Sequence, residues 1–280
     1  MEGNRYSPAF TAAACVLFIF VCAAVFAPWL APYEPNELNR NAILAPMSEM
    51  HLLGTDALGR DMFSRLLYGA RVSIGYAVAG AACTIVFGTA LGILSGYFGG
   101  KIDLCIQGAV QIFQGIPGIS LMIAIAGIMG PGPASILLAV TLTSWTACAR
   151  VVRAEVMKIR HAYYVSAVKV LGAGDAYIIR QYILPNILPY VSVLWTVRIG
   201  TVLLSVSTLG FLGLGIQPPQ ADWGVMIYDA KTYFRSYPWL LWAPGLCIAL
   251  LSLSVQVLGD EWRDRQSVHR DGIPGEEVAS

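Results

Sequence analysis

Long apolar segments with almost no charged residues dominate this chain, and shorter polar connections separate them. A helix needs about 20 apolar residues to cross the hydrocarbon core of a bilayer, which is about 30 Å thick. Each segment reaches that length, and one is long enough to cross twice. The segments are Tyr6–Tyr33, Val72–Gly100, Leu104–Ala149, Ile187–Leu214 and Pro238–Leu258. The pattern therefore predicts an all-α polytopic membrane protein.

The longest segment contains Gly130-Pro131-Gly132-Pro133, a sequence typical of a turn. We therefore predict two spans there, at about residues 104–129 and 134–150, and six transmembrane helices in total. The first segment has a second interpretation as a cleaved signal peptide, because Ala24-Val25-Phe26-Ala27 is similar to a cleavage site. Its length, and Arg5 as the one basic residue before it, favour a retained helix.

The stretch Tyr164–Asn186 is a long polar interruption in the apolar second half, and we name it the elbow. Its pattern predicts a short helix, a break at Gly172-Ala173-Gly174, a second short helix opening at Asp175, and a stop at Leu184-Pro185-Asn186. Gly172 or Gly174 would adopt the left-handed backbone that ends the first helix. The Asp175 carboxylate would accept hydrogen bonds from the free N–H groups of the second. The elbow is thus predicted to be a helix–turn–helix on the membrane surface.

Charge distribution orients the predicted spans. Only 12% of the 280 residues are charged, and a net charge of +1 argues against a nucleic-acid partner. The strongest basic cluster surrounds the elbow, and the positive-inside rule makes that side, with both termini, cytoplasmic. This cluster comprises Arg150, Arg153, Lys158, Arg160, Lys169 and Arg180.

The sequence contains no motif typical of a metal site, a nucleotide-binding loop or a hydrolase. The cysteines lie in or beside apolar segments without a C-x-x-C pair, and His51, His161 and His269 are far apart, so we predict no metal site. Lys101 follows glycines but lacks the Walker pattern, and no G-x-S-x-G or H-E-x-x-H occurs. We therefore predict a protein that is not an enzyme and binds no cofactor itself. A channel or a secondary transporter remains an alternative on these grounds.

Several motifs resemble one family. Ser166-Ala167-Val168, Gly172 and Ile183-Leu184-Pro185-Asn186 fall where the cytoplasmic coupling loop of ABC importer permeases has Glu-Ala-Ala, Gly and an Ile-x-Leu-Pro ending. Three other stretches, in the same order as in the family, are Leu53–Ser73, Phe211–Gly224 and Leu258–Asp264. Together they resemble the C-type permease subunit of dipeptide, oligopeptide and nickel importers, over about Pro28 to Asp264.

The resemblance implies that this chain works together with several partner subunits. It implies a translocation path shared with a homologous second permease, two ATP-binding cassette ATPases that bind ATP and magnesium, an extracytoplasmic solute-binding protein, and a plasma (inner) membrane location. The substrate would be a di- or oligopeptide, or nickel or another metal chelate. The implied ATPase-coupling residues are Ser166, Ala167, Gly172, Ala173, Asp175, Leu184, Pro185 and Asn186.

The resemblance also divides the chain into three parts. They are a first helix with an extracytoplasmic loop (residues 1–71), the permease domain (72–265) and a cytoplasmic tail (266–280). In the loop, Asp61 is expected to cap a short amphipathic surface helix that carries Phe63, Leu66 and Leu67 and leads into the second span.

Two polar rows interrupt the apolar spans. Arg198, Thr201, Ser205 and Thr208 recur at helical spacing on one face of the fifth span. Gln107, Gln111 and Gln114 do the same on the third span. We expect both rows to line the translocation path, with Arg198 favouring an anionic group. The alternative for the Arg198 row is helix packing, with the arginine meeting an acid of the partner permease.

Overall fold

The computed structural model describes residues 7–271, with side chains through residue 265. Its regular structure is helical, and an isolated bridge between Thr55 and Asp61 is the one β pairing in this part of the chain. The helices are α1 (Pro8–Leu30), α2 (Met62–Phe98), α3 (Gly100–Gly115), α4 (Gly118–Met129), α5 (Pro133–Arg160), α6 (Tyr163–Val170), α7 (Asp175–Ile178), α8 (Leu184–Phe211), α9 (Trp223–Ala230) and α10 (Trp239–Asp271).

The predicted spans are confirmed as helices, with one of them bent. Five helices are long and apolar enough to cross a membrane: α1, α2, α5, α10 and the continuous run Asp175–Phe211. The sixth candidate is the pair α3 and α4, which meet at 92°. The predicted span 104–129 is therefore sharply bent, since Pro117 lacks an N–H and disfavours helix at Ile116.

Three helices run further than the sequence indicated. Asp61 does act as an N-cap, accepting from the Ser64 N–H at 2.8 Å, but the helix it caps is α2 itself. The separate surface helix is thus wrong, because no proline interrupts Met62–Phe98. Likewise α5 continues to Arg160, and α10 continues past the predicted end of the sixth span. Arg5 and the tail after Asp271 lie outside the described residues.

Close packing of α2 on α5 forms the centre of the bundle. Gly88, Gly92 and Gly96 lie four residues apart on the α2 face that contacts α5. A Cβ on Gly92 would come within 2.7 Å of the Val152 Cβ and 2.8 Å of the Ala149 carbonyl oxygen. Small residues at this spacing allow two helix backbones to approach in a bilayer. The two helices therefore form one tightly packed pair.

We expect Gly92→Ala to destabilise the protein by about 1–3 kcal/mol, because the added methyl group overpacks the contact with α5. Gly75→Ala is the matched control on the same helix, since its Cβ meets nothing within 4 Å. Thermal unfolding of the purified protein in detergent measures both. Equal unfolding temperatures would contradict the close packing.

Candidate functional site

The first arm of the elbow ends in a hydrogen-bonded turn around Gly172. The Gly172 N–H donates to the Lys169 carbonyl at 3.0 Å, and the Ala173 N–H donates to the Val168 carbonyl at 3.2 Å. This pair of bonds is the Schellman arrangement, which needs a left-handed residue. Gly172 supplies it with φ +89°, whereas Gly174 has an ordinary φ of −70°. The predicted left-handed glycine is confirmed and is Gly172.

The second arm opens at Asp175, as predicted, but Asp175 does not cap it. Gly174 occupies the capping position, and the Asp175 side chain caps no N–H because it already lies inside the helix. Its carboxylate instead accepts a hydrogen bond from the Tyr97 hydroxyl of α2 at 2.7 Å. The Lys169 ammonium lies 3.8 Å from the same oxygen. The turn is therefore tied to the end of α2.

The predicted stop at Leu184-Pro185-Asn186 is wrong, because the helix continues through it. A π-helical turn, Ile179–Ile183, precedes the proline, and the Leu184 N–H reaches back to the Ile179 carbonyl. This wider turn shifts the hydrogen-bond register just before Pro185, which has no N–H to donate. The Asn186 amide donates to the Tyr182 carbonyl at 2.6 Å. The second arm of the elbow thus runs directly into α8.

The elbow has a buried side and an exposed side. Val165, Ile178 and Ile183 are buried in a cluster with Tyr97 and Val152, so both arms pack on α2 and α5. On the other side large apolar residues are exposed, with Val170 87%, Leu171 85% and Tyr177 55% accessible. Exposed apolar patches of this kind mark interaction surfaces.

Most of the predicted coupling residues are exposed. Ala173 and Leu184 are half-buried and pack against the buried cluster instead. The exposed ones are Ser166, Ala167, Gly172, Asp175, Pro185 and Asn186.

A half-buried ion pair beside the elbow joins three helices. Arg153 of α5 donates from Nε and Nη2 to the two carboxylate oxygens of Asp103 of α3, both at 2.6 Å. Ser95 of α2 donates to Asp103 at 2.5 Å, and Gln107 donates to Ser95 at 3.2 Å. Bidentate arginine–carboxylate pairs fix geometry well. Sequence reasoning missed this network, although Asp103 at the edge of an apolar run was its signal.

The two predicted polar rows lie on different helices. In the Arg198 row, the hydroxyls of Thr201, Ser205 and Thr208 donate to carbonyls of their own helix at 2.7–3.0 Å. Within residues 7–265, the Arg198 guanidinium makes no side-chain hydrogen bond or ion pair, and it is half-buried. Gln107 faces α2, while Gln111 and Gln114 are exposed. A path lined by both rows therefore stays a prediction.

At the opposite end of the bundle, α2 holds α9. Asp222 accepts from the Ser73 hydroxyl at 2.6 Å and from the Gly224 N–H at 2.9 Å. The Trp223 indole N–H donates to the Leu66 carbonyl at 3.0 Å. Burial raises the pKa of the Asp222 carboxyl, and the hydrogen bonds that this carboxylate accepts oppose the rise. One helix thus contacts the elbow at one end and α9 at the other.

Comparison with known sequences decides the family. The family described as "Binding-protein-dependent transport system inner membrane component" matches residues 88–261, and "N-terminal TM domain of oligopeptide transport permease C" matches residues 5–46. The chain belongs to this permease family. It is a multi-pass membrane protein, and the curated relatives described below are permease subunits.

Three relatives of this permease cover most of its length. The dipeptide permease DppC of Haemophilus influenzae is 38% identical over 259 residues, 89% of this chain and 87% of the relative. The di/tripeptide permease DppC of Pseudomonas aeruginosa is 36% identical, covering 89% and 84%. The probable D,D-dipeptide permease DdpC of Escherichia coli is 35% identical, covering 92% and 87%.

Solved structures agree on the fold of the permease. An inward-facing MetNI methionine ABC transporter matches with TM-score 0.60 and 20% identity, covering 72% of this chain and 97% of that one. An amino acid ABC transporter matches with TM-score 0.52 and 17% identity, covering 72% and 94%. At this identity the likeness concerns the fold alone.

Proposed function

We propose that this chain is the permease subunit of an ATP-driven importer of di- or oligopeptides. The observation that carries the proposal is the elbow, two helical arms around Gly172 that pack on α2 and α5 and leave an apolar face exposed. A channel or a secondary transporter needs no such docking element. The relatives are named as dipeptide and di/tripeptide permeases, which favours peptides over nickel or another metal chelate as the substrate.

The proposed mechanism transmits movement of the ATPases through the elbow. ATP and magnesium bind to two partner ATPases on the cytoplasmic side, and Val170 and Leu171 dock into them. Closure of the ATPases displaces the elbow, and α8 moves with it because the second arm of the elbow and α8 form one continuous helix, Asp175–Phe211. This chain and a homologous second permease then alternate between outward-open and inward-open states. ATP drives the change only through differential contacts in the two states.

Reconstitution tests this function. The full complex, with its ATPases, second permease and solute-binding protein, is placed in liposomes with a radiolabelled dipeptide outside and ATP inside. We expect uptake that stops when ATP is replaced by a non-hydrolysable analogue. Uptake that continues without hydrolysis would support a channel or secondary transporter, and uptake of nickel but not of the dipeptide would correct the substrate.

Topology gives a separate prediction. In a cysteine-free background, we expect Gln220→Cys to react with a membrane-impermeant maleimide from outside the cell and Val170→Cys only after the membrane is opened. Both side chains are exposed, unlike the buried Asp222. The expectation follows from the basic cluster around the elbow. Labelling of both positions from the same side would refute six spans.

A further inference from the structure

A cavity of about 360 Å³ lies at the end of the bundle opposite the elbow. It is formed by the loop before α2, the first turns of α2, the end of α9 and the start of α10. Pockets that hold small ligands have volumes of about 300–1,000 Å³. This one is therefore large enough for a side chain or a small molecule. Its charged lining residues are Asp56, Arg60, Arg65, Asp229 and Lys231.

Arg60 forms ion pairs with both aspartates of the lining, Asp56 and Asp229. The Arg60 Nε lies 2.6 Å from an Asp56 oxygen, and its Nη2 lies 3.0 Å from an Asp229 oxygen. The Arg60 side chain is only 4% exposed, so this arrangement is a built part of the protein. Arg60 thus holds the two aspartates in the wall of the cavity.

The other two charged residues are Arg65 and Lys231, and Arg65 shares Asp56 with Arg60, since its Nε lies 3.7 Å from the same carboxylate oxygen. The Arg65 side chain is 1% exposed, and its Nη1 donates to the Pro35 carbonyl at 3.0 Å and to the Pro219 carbonyl at 3.4 Å. Its Nη2 is buried and has no hydrogen-bond partner among the described residues. Leaving a buried donor unpaired is costly, and more so for a charged group.

Lys231 is the other cation that faces the cavity. Its ammonium lies 3.7 Å from the centre of the Tyr228 ring and forms no ion pair within residues 7–265. The lining then carries three cations against two anions, an excess of one positive charge. A single carboxylate would balance this excess and accept from both Arg65 and Lys231.

We propose that the cavity receives the carboxylate of one aspartate or glutamate side chain of the solute-binding protein. This inference rests on the proposed function, which makes the end opposite the elbow extracytoplasmic and supplies the partner. The cavity holds one side chain rather than a helix or strand, and the charge excess matches one acid. Charge pairs of this kind fix the register of an interface and slow dissociation.

The test measures binding of the fluorescently labelled solute-binding protein, from the same transport system, to the whole transporter in nanodiscs. We expect Lys231→Ala to weaken binding at least fivefold. Arg235→Ala is the matched control, because Arg235 is exposed in the same loop but does not line the cavity. It should change the affinity less than twofold. Equal losses in both variants would indicate general attraction between charged surfaces and overturn the proposal, as would no loss in either.

Two further experiments identify the carboxylate and the molecule that carries it. Replacing acids of the solute-binding protein one at a time by their amides should reveal one variant whose loss is not additive with Lys231→Ala. If every pair is additive, the proposed contact does not exist. A labelled dipeptide is also offered to the transporter alone, and binding that depends on Lys231 would assign the cavity to substrate and overturn the proposal.

Arg65→Lys is the remaining variant. It keeps the charge but loses Nη2 together with the Nη1 hydrogen bonds to Pro35 and Pro219, and we expect about tenfold weaker binding with a lower thermal unfolding temperature. Unchanged affinity would remove Arg65 from the site, and if this variant fails to fold, the Lys231 comparison decides alone. Wild-type transporter that binds no solute-binding protein would instead refute the proposed function.

Discussion

Gly172→Val is expected to lower dipeptide uptake per ATP hydrolysed at least tenfold while the transporter still assembles. The glycine has φ +89°, a region that a β-branched residue disfavours strongly. Strain of this kind costs about 1–3 kcal/mol. A Cβ there meets nothing within 4 Å, so the backbone strain acts without a clash. The elbow should therefore change its angle and lose its fit to the ATPases.

Gly174→Val tests whether the backbone strain, rather than the larger side chain, causes the effect of Gly172→Val. Gly174 has φ −70° and ψ 154°, an extended conformation that valine adopts readily, and its Cβ also meets nothing within 4 Å. We expect this variant to keep most of the coupling. Uptake and ATP hydrolysis are measured together in liposomes, with assembly checked by co-purification. Normal coupling in Gly172→Val would show that the left-handed turn has no part in transmission.

Arg198→Glu is expected to assemble and to lose uptake of peptides almost completely. Arg198 lies in the middle of α8 without an ion-pair partner among the described residues, at a depth where a charge costs at least about 2.5 kcal/mol. Because the charge is present despite this cost, we propose that the Arg198 guanidinium attracts the peptide carboxylate. Reversing the charge would repel that group.

Conservative variants test this use of Arg198. Arg198→Lys should keep part of the uptake, since it keeps the charge. Thr201→Val should assemble normally, because the Thr201 hydroxyl donates only to the Arg198 carbonyl of its own helix. Loss of assembly in Arg198→Glu would favour an acid on the partner permease as the true counterion. Normal uptake in that variant would exclude the arginine from the path.

The spans were predictable because a bilayer demands long apolar helices, and the left-handed turn because glycine tolerates it. The ends of the helices were not. Composition shows where a helix leaves the membrane, but hydrogen bonding decides where it ends, so α2 and α5 run into regions read as polar connections. The π turn before Pro185 is a similar case, because one shifted hydrogen bond lets the helix pass a proline.

Long-range side-chain contacts, in the elbow and between α3 and α5, could not be predicted from the sequence for another reason. Tyr97 and Asp175 are 78 positions apart, and Asp103 and Arg153 are 50 apart. Neither pair has a local pattern, because the first depends on the packing of α7 against α2 and the second on the packing of α3 against α5. The capping role expected for Asp175 failed because a local rule was applied to a residue with a distant partner.

The unbroken course of α2 has a thermodynamic consequence. Its 37 residues give a length of about 55 Å, with Leu66 bonded to α9 near one end and Tyr97 bonded to the elbow near the other. A helix without a proline has no ready hinge to absorb a displacement. Linkage is reciprocal: if nucleotide-driven movement at the elbow changes the affinity for a ligand at the far end, that ligand must change the affinity for the nucleotide by the same factor. In this molecule α2 is the rigid body through which such a two-way exchange of free energy can run.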